Sequence, residues 1–344
     1  MAESGGLLIP RILDWTPDPN RAACHTVAVK PVRTWIVRTG YAITVATVLW
    51  VINRLSSQDG MARLLDIAAI HGSLIALLLL AYAAVSLLQA LAWWQLIKLS
   101  TGHAGIGRSV GIFALTQLGK YLPGNIMHFV FRYALTRATG APRPAVLGAS
   151  ALEPWILLCA ALALVAMLGG ADWPTRFGWP GWLAWLLPFG ALALLVGILP
   201  WLRRRLPSDD LSLLTLLPAL LLQAGFLLGS AGLFAILLGL FDTTASAPLQ
   251  IVFAASVLAW LAGFVTPGSP GGLGVREVVL SVALSGWVDP AIAVATAAGF
   301  RILTITGDLL VFAGGGVWWQ LRGRSTLISY RRFLAETEAS DAPH

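Results

Sequence analysis

Six long apolar runs constrain this chain more than any other feature of its sequence. Each holds about 20 or more residues with few charges, which is enough to cross the ~30 Å hydrocarbon core of a membrane as a helix. They cover residues 34–53, 72–97, 145–168, 182–202, 211–240 and 291–319. Only 11% of all residues are charged, whereas soluble domains carry about 25%. The sequence therefore predicts an all-α polytopic membrane protein with about six full spans.

Two further apolar segments are interrupted and do not fit single spans. Residues 109–137 contain "GKYLPGN" at 119–125, and residues 250–287 contain "TPGSPGGLGVRE" at 266–277. Proline lacks a backbone N–H and glycine adopts positive φ, so a helix must stop and turn at both places. We predict two broken re-entrant helical hairpins. The alternative for 250–287 is a pair of full spans.

The distribution of Lys and Arg predicts the topology, because short cytoplasmic loops collect positive charge. The densest loop cluster is Arg203, Arg204 and Arg205. Counting spans from this cluster places both termini in the cytoplasm of a multi-pass protein of the cytoplasmic (inner) membrane. The two hairpins then enter from opposite faces, which is typical of a transport site near the midplane. We assign residues 1–32 to a cytoplasmic leader, 33–320 to one transmembrane domain and 321–344 to a cytoplasmic tail.

The first break has the features of an anion site. Free backbone amides and the positive end of the following half-helix attract negative charge. Lys120 and Asn125 lie in the break, and Arg132 follows about two turns later with a guanidinium suited to phosphate. We predict that these three residues bind substrate. The alternative is that Lys120 and Arg132 extend to the lipid headgroups and anchor the hairpin.

The second break places two charges beside a run that cannot be helical. Val275 is predicted to begin a new half-helix with Arg276 and Glu277 in its first turn. Charges inside a membrane cost about 2.5–3.5 kcal/mol each on insertion scales, so we predict that both residues bind substrate. The alternative is that they pair with each other or with other buried charges and lock the hairpin.

Three more ionisable residues lie inside predicted spans, namely Glu153, Arg301 and Asp308. Arg301 and Asp308 are seven residues apart and share one helix face. With the cations of the two breaks they form a nearly balanced charge network, which suits a structural role and a proton or substrate relay equally well. Isolated histidines and two cysteines offer no metal-type spacing, so we expect no metal and no cofactor. Basic residues flank the apolar runs instead of forming a stripe, so we expect no nucleic acid.

Together, "GKYLPGN" and "PGSPGGLGVRE" resemble the flippase-like membrane region of lysylphosphatidylglycerol synthetases and of the stand-alone proteins of that superfamily. The resemblance covers roughly residues 35–320. It also identifies Glu153 as the family's acidic residue in the following span, although Pro154 departs from the neighbour expected there. The motif residues that it implies are Gly119, Lys120, Pro123, Gly124, Arg132, Pro270, Gly271, Gly272, Gly274, Arg276 and Glu277.

The resemblance implies movement of lipids between leaflets. The family's synthetases carry a soluble aminoacyl-transfer domain after the membrane region, whereas this sequence continues for only about 25 residues. We therefore expect a non-enzymatic lipid transporter that cannot make lysyl-lipid by itself. The alternative is an accessory subunit that presents a lipid to a separate glycosyl- or aminoacyl-transferase; an integral headgroup enzyme is the weakest hypothesis. Expected partners are a membrane phospholipid or glycolipid, with a lipid-modifying transferase and a second copy of the chain as candidates.

Overall fold

The computed structural model describes most of the apolar part of the chain. The described residues are 60–122, 126–169, 178–203, 212–242, 247–266 and 269–323, together with 49, 53 and 175. Within these ranges the regular structure is entirely helical, which confirms the all-α prediction. The predicted leader, almost all of the predicted span 34–53 and the tail beyond residue 323 lie outside the described residues.

Ten α-helices and three short helical turns make up the described structure. The helices are α1 (Gly60–Ile70), α2 (Gly72–Thr101), α3 (Ile106–Thr116), α4 (Met127–Arg137), α5 (Arg143–Gly169), α6 (Leu183–Arg203), α7 (Leu213–Phe241), α8 (Leu249–Val265), α9 (Val275–Ala283) and α10 (Pro290–Trp318). The first 3₁₀ turn is Gln117–Tyr121, the second 3₁₀ turn is Pro270–Gly272, and a π turn at Trp319–Gly323 follows α10.

Four of these helices are long and apolar enough to cross a membrane. They are α2, α5, α7 and α10, the last counted as far as Leu321. They match the predicted spans 72–97, 145–168, 211–240 and 291–319 within a few residues, because each run is apolar on every side of the helix. Helix α6 lies within one residue, at each end, of the predicted span 182–202.

Both interrupted segments are broken where the sequence predicts. In the first segment, α3 continues into the first 3₁₀ turn and α4 begins at Met127; Pro123, Gly124 and Asn125 lie outside the described residues. In the second segment, Gly271, Gly272 and Gly274 have φ values of 58°, 77° and 82°. A residue with a Cβ is strained in this region, so α8 cannot continue into α9. The predicted helix start at Val275 is confirmed.

Packing places α10 between the two interrupted segments. Helix α2 lies along α7, and α5 packs against α6 and α8. Helix α10 contacts α2, α3, α9 and the first 3₁₀ turn. Small residues near the start of α10 allow this close packing, since Ala293, Ala295 and Ala297 are buried. Side chains of α10 can therefore reach both breaks.

Candidate functional site

The two breaks meet in the interior of the helix bundle. The first and second 3₁₀ turns contact each other, and a Cβ added at Gly271 would lie 3.1 Å from the ring of Tyr121. Next to this contact is a cavity of about 60 Å³. Its lining includes all four cations predicted for the membrane interior and one of the predicted carboxylates: Lys120, Arg132, Arg276, Arg301 and Glu153. We call it the central cavity.

Asp308 connects the first 3₁₀ turn to α10. It is fully buried, and its Oδ2 lies 2.7 Å from Nζ of Lys120. The Tyr121 hydroxyl donates to the same oxygen, and the Tyr82 hydroxyl of α2 donates to Oδ1 at 3.4 Å. A buried carboxylate needs such donors because it has lost its water. One carboxylate thus connects three elements of the fold.

Arg301 connects α10 to the second 3₁₀ turn. Its Nη2 donates to the carbonyl oxygen of Gly271. Its guanidinium also lies over the ring of Tyr121, 5.7 Å from the centroid, in a cation–π arrangement. Arg301 and Asp308 therefore lie on one face of α10, as predicted, and each of them contacts a different break.

Arg132 and Glu153 form the second ion pair, between Nη1 and Oε1. Arg132 is only 1% exposed, and its guanidinium lies 4.2 Å from the ring centroid of Phe113 and 5.3 Å from that of Trp93. Its Nε donates to the Thr116 hydroxyl at 3.3 Å. This burial contradicts the anchoring interpretation for Arg132, because the side chain does not extend towards solvent. The ion pair also gives Glu153 a cationic partner on another helix. Pro154, the residue next to Glu153, could not act as such a partner.

Arg276 lies at the first turn of α9, beside Trp260 of α8. Its guanidinium is 5.5 Å from the Trp260 ring centroid. A Cβ added at Gly263 would lie 2.7 Å from Cγ of Arg276, and one added at Gly272 would lie 2.8 Å from Nε. These two glycines therefore provide the space that the arginine occupies. Among the described residues, Nε of Arg276 has no hydrogen-bond partner.

Glu277 is buried next to Arg276 and also has an unsatisfied oxygen, Oε2, within the described part of the chain. It borders a smaller cavity of about 30 Å³, which shares Arg276 and Arg301 with the central cavity. Hydroxyl groups of Ser230, Ser256 and Thr304 also line this space. Among the described residues, Arg276 and Glu277 do not form a direct ion pair with each other. Polar groups thus extend from the first break to the beginning of α9.

The glycines and prolines of the two motifs act through the backbone. A Cβ at Gly119 would lie 2.7 Å from the backbone nitrogen of His128, so the first 3₁₀ turn can touch α4 only without a side chain there. Pro270 opens the second 3₁₀ turn, and Gly274 immediately precedes α9. The predicted Asn125, Pro123 and Gly124 fall outside the described residues.

Sequence reasoning missed the aromatic residues of the site. Tyr121 directly follows Lys120 in the first motif, and this position beside a predicted binding residue could have identified it as a site residue. Tyr82, Trp93 and Trp260 lie inside apolar runs, where an aromatic residue gives no indication that it faces a charge. Only the packing of the helices identifies them as site residues.

The site combines positive charge with a small volume. Four cations face three carboxylates, Glu153, Glu277 and Asp308, so positive charge is in excess by one. Since a water molecule needs about 10–15 Å³ of such space, the central cavity of about 60 Å³ has room for only a few waters. The charge suits a phosphate, whereas the volume requires the cavity to widen before a larger group can enter.

Comparison with known proteins identifies a family. A family model described as the lysylphosphatidylglycerol synthase TM region matches residues 37–311, well over half of the 344 residues. The matched range contains both 3₁₀ turns and all the cations of the central cavity. No curated protein matches the chain.

Proposed function

Because the chain belongs to the family of the lysylphosphatidylglycerol synthase TM region, we propose that it moves a phospholipid or a lipid-linked headgroup between the two leaflets. The family is one of membrane domains related to lipid modification or flipping. The observation that carries the proposal is the central cavity, where Lys120, Arg132, Arg276 and Arg301 meet at the contact of two interrupted segments. Interrupted segments that meet in a polar interior are a feature of transport sites.

The proposed arrangement in the membrane has six full spans and two re-entrant hairpins that enter from opposite faces. The lengths of the second arms support it. Helix α4 has 11 residues and α9 has nine, or roughly 16 Å and 14 Å at 1.5 Å per residue, about half of a ~30 Å hydrocarbon core. With this arrangement both termini lie in the cytoplasm and the protein resides in the cytoplasmic membrane.

In the proposed mechanism the lipid phosphate binds in the central cavity while the acyl chains stay in the bilayer. Lys120 is best placed to receive it, since its side chain is still 21% exposed and its ion pair with Asp308 can be exchanged for one with phosphate. Arg276 is the second candidate, because its buried Nε has no partner among the described residues. Arg132 is fully engaged with Glu153 in this state. No step of this proposal is enzymatic.

A leaflet assay in liposomes tests the proposal. Purified protein is reconstituted with fluorescent phospholipids, and a membrane-impermeant reductant bleaches the outer leaflet; protein-dependent bleaching of the inner leaflet reports translocation. We expect wild type to translocate and Arg276→Gln and Lys120→Gln to be at least about tenfold slower, the effect of losing one charge-assisted contact. Lys98→Gln is the matched control, since Lys98 lies over Trp94 and does not line the central cavity.

A wild-type protein that translocates no anionic, zwitterionic or glycosylated lipid would contradict autonomous transport. The accessory-subunit alternative would then apply, and the small volume of the cavity is the observation that favours it. Under that alternative the protein co-purifies with a glycosyl- or aminoacyl-transferase. A second copy of the chain stays a candidate partner in both cases.

A further inference from the structure

A third and much larger cavity lies at the end of the bundle where α2 ends and α3 begins. Its volume is about 350 Å³, which falls within the ~300–1,000 Å³ range of small-molecule pockets. Its lining includes Trp93, His103, Arg108, Ser109 and Thr136, and it shares no residue with the central cavity. We call it the entry cavity.

Two residues that line the entry cavity carry donor groups without partners among the described residues. Trp93 is completely buried and Thr136 is 4% exposed, yet within the described residues Nε1 of Trp93 and Oγ1 of Thr136 have no hydrogen-bond partner. A buried polar group left unpaired costs free energy. Both atoms are almost inaccessible in this conformation, so a ligand that accepts hydrogen bonds reaches them only when the side chains of the cavity wall move.

Helix α3 adds further donors. It begins at Ile106 next to Gly105, which has no side chain to cap the first amides, and the described structure contains no side-chain cap there. The positive end of the helix therefore faces the cavity rim with Arg108 in its first turn. An acceptor with negative charge satisfies these groups best.

The acceptors at the same end are already occupied. The Thr101 hydroxyl donates to the carbonyl oxygens of Ile97 and His103. Nε1 of Trp94 donates to the Ala104 oxygen at 2.9 Å. In the connection after α4, the Thr139 hydroxyl and the Arg137 guanidinium donate in the same way to the backbone oxygens of Thr136 and Ala141. Several backbone acceptors around the cavity are thus already occupied.

The stretch of sequence that contains the entry cavity has no acidic residue of its own, although Lys120 and Arg132 within it pair with carboxylates from elsewhere in the chain. Between Asp66 and Glu153 the chain contains six Lys or Arg residues and no acidic residue. No described carboxylate lines the entry cavity. A cation would therefore be repelled, and an anion would meet no competing negative group.

We propose that the entry cavity is a phosphate-binding site that holds a lipid headgroup before it reaches the central cavity. Arg108, the amides of α3, Trp93 and Thr136 would bind the phosphate, and the acyl chains would lie against the exposed apolar faces of neighbouring helices. Trp93 separates the two sites, since it lines the entry cavity and its ring lies over Arg132 on the other side. The claim that the phosphate belongs to a lipid rests on the proposed function, whereas the preference for a phosphate rests on the cavity alone.

Calorimetric titration of the full-length protein in a non-ionic detergent tests this site. The probes are dihexanoyl phosphatidylglycerol, glycerol 3-phosphate and inorganic phosphate. We expect Arg108→Gln to weaken binding of the short-chain lipid about tenfold and Thr136→Val to weaken it several-fold. Lys98→Gln is the control, because it removes a cation from the same end of the molecule without touching the cavity. The Thr136→Val substitution keeps the shape of the side chain, so weaker binding by this variant does not reflect a general folding defect.

The outcomes separate this site from the transport proposal. If Arg108→Gln and Thr136→Val bind the lipid as Lys98→Gln does, the entry site is overturned, whether or not the protein translocates lipid. If binding is lost in both variants while wild type fails to translocate, the site stands and the transport proposal fails. If free phosphate binds as tightly as the lipid, the phosphate chemistry is supported and the lipid source is overturned.

Discussion

At the scale of single residues, the two ion pairs of the central cavity have different surroundings. Arg132 and Glu153 are enclosed by aromatic rings and nearly inaccessible. Lys120 is partly accessible and shares Asp308 with two tyrosines. Removing one partner of a buried pair is destabilising, whereas replacing both with apolar groups is often tolerated. The first pair should therefore determine stability and the second should determine ligand binding.

A double-mutant cycle checks the structural role of Arg132 and Glu153. We expect Arg132→Met and Glu153→Leu each to lower the free energy of unfolding by about 3–5 kcal/mol, because each leaves a buried charge without its partner. The double variant should recover most of this loss. Thermal unfolding in detergent measures the four proteins. A double variant no more stable than either single variant would show that the pair does not act as a unit.

The two tyrosines on Asp308 should also differ. Tyr121→Phe removes a hydrogen bond to a charged group, for which we expect a loss of about 1.5–3 kcal/mol. Tyr82→Phe removes one at 3.4 Å, for which we expect less than about 1 kcal/mol. Both substitutions preserve the ring, so each is the control for the other. Equal losses in thermal unfolding would mean that Tyr121 has no special part in holding the first 3₁₀ turn.

At the scale of elements, the sequence predicted where helices end but not what the ends bind. Prolines, glycines and apolar runs are local signals, and they located the two breaks and the start of α9 at Val275. The Lys120–Asp308 pair joins residues 188 positions apart along the chain, and no local pattern contains that information. Helix packing decides it, so the candidate cations could be named from the sequence while their partners could not.

Glycine substitutions test the second break. Gly272 and Gly286 both have positive φ, at 77° and 87°. A Cβ at Gly272 would lie 2.8 Å from Arg276 and from Gly263, whereas nothing lies within 4 Å of one at Gly286. We expect Gly286→Ala to cost about 1–2 kcal/mol from backbone strain alone and Gly272→Ala about 1–3 kcal/mol more from overpacking. Similar losses in thermal unfolding would mean that α8 and the second 3₁₀ turn can separate without cost.

At the scale of the whole molecule, charge distribution predicts which end faces the cytoplasm. The six cations between Asp66 and Glu153 include those around the entry cavity. By the bias of short loops towards positive charge, this end lies inside. The connection between α9 and α10 then lies outside, together with Ser285.

Cysteine labelling checks this orientation. The two natural cysteines are replaced (Cys24→Ser and Cys159→Ala), and His103→Cys or Ser285→Cys is then introduced, both at exposed positions. In intact cells we expect a membrane-impermeant maleimide to label position 285 and not position 103. Permeabilised cells, in which both positions should react, are the control. The opposite pattern would invert the topology and place the entry cavity on the outer face.

The attachment of both breaks to α10 has a consequence for how the protein can move. Arg301 binds the carbonyl of Gly271, and Asp308 binds Lys120, two turns apart on one continuous helix. A rigid-body shift of α10 would displace both contacts together. A ligand that displaces Lys120 from Asp308 would therefore also change the forces on the Arg301–Gly271 contact, and the two breaks would respond as one cooperative unit.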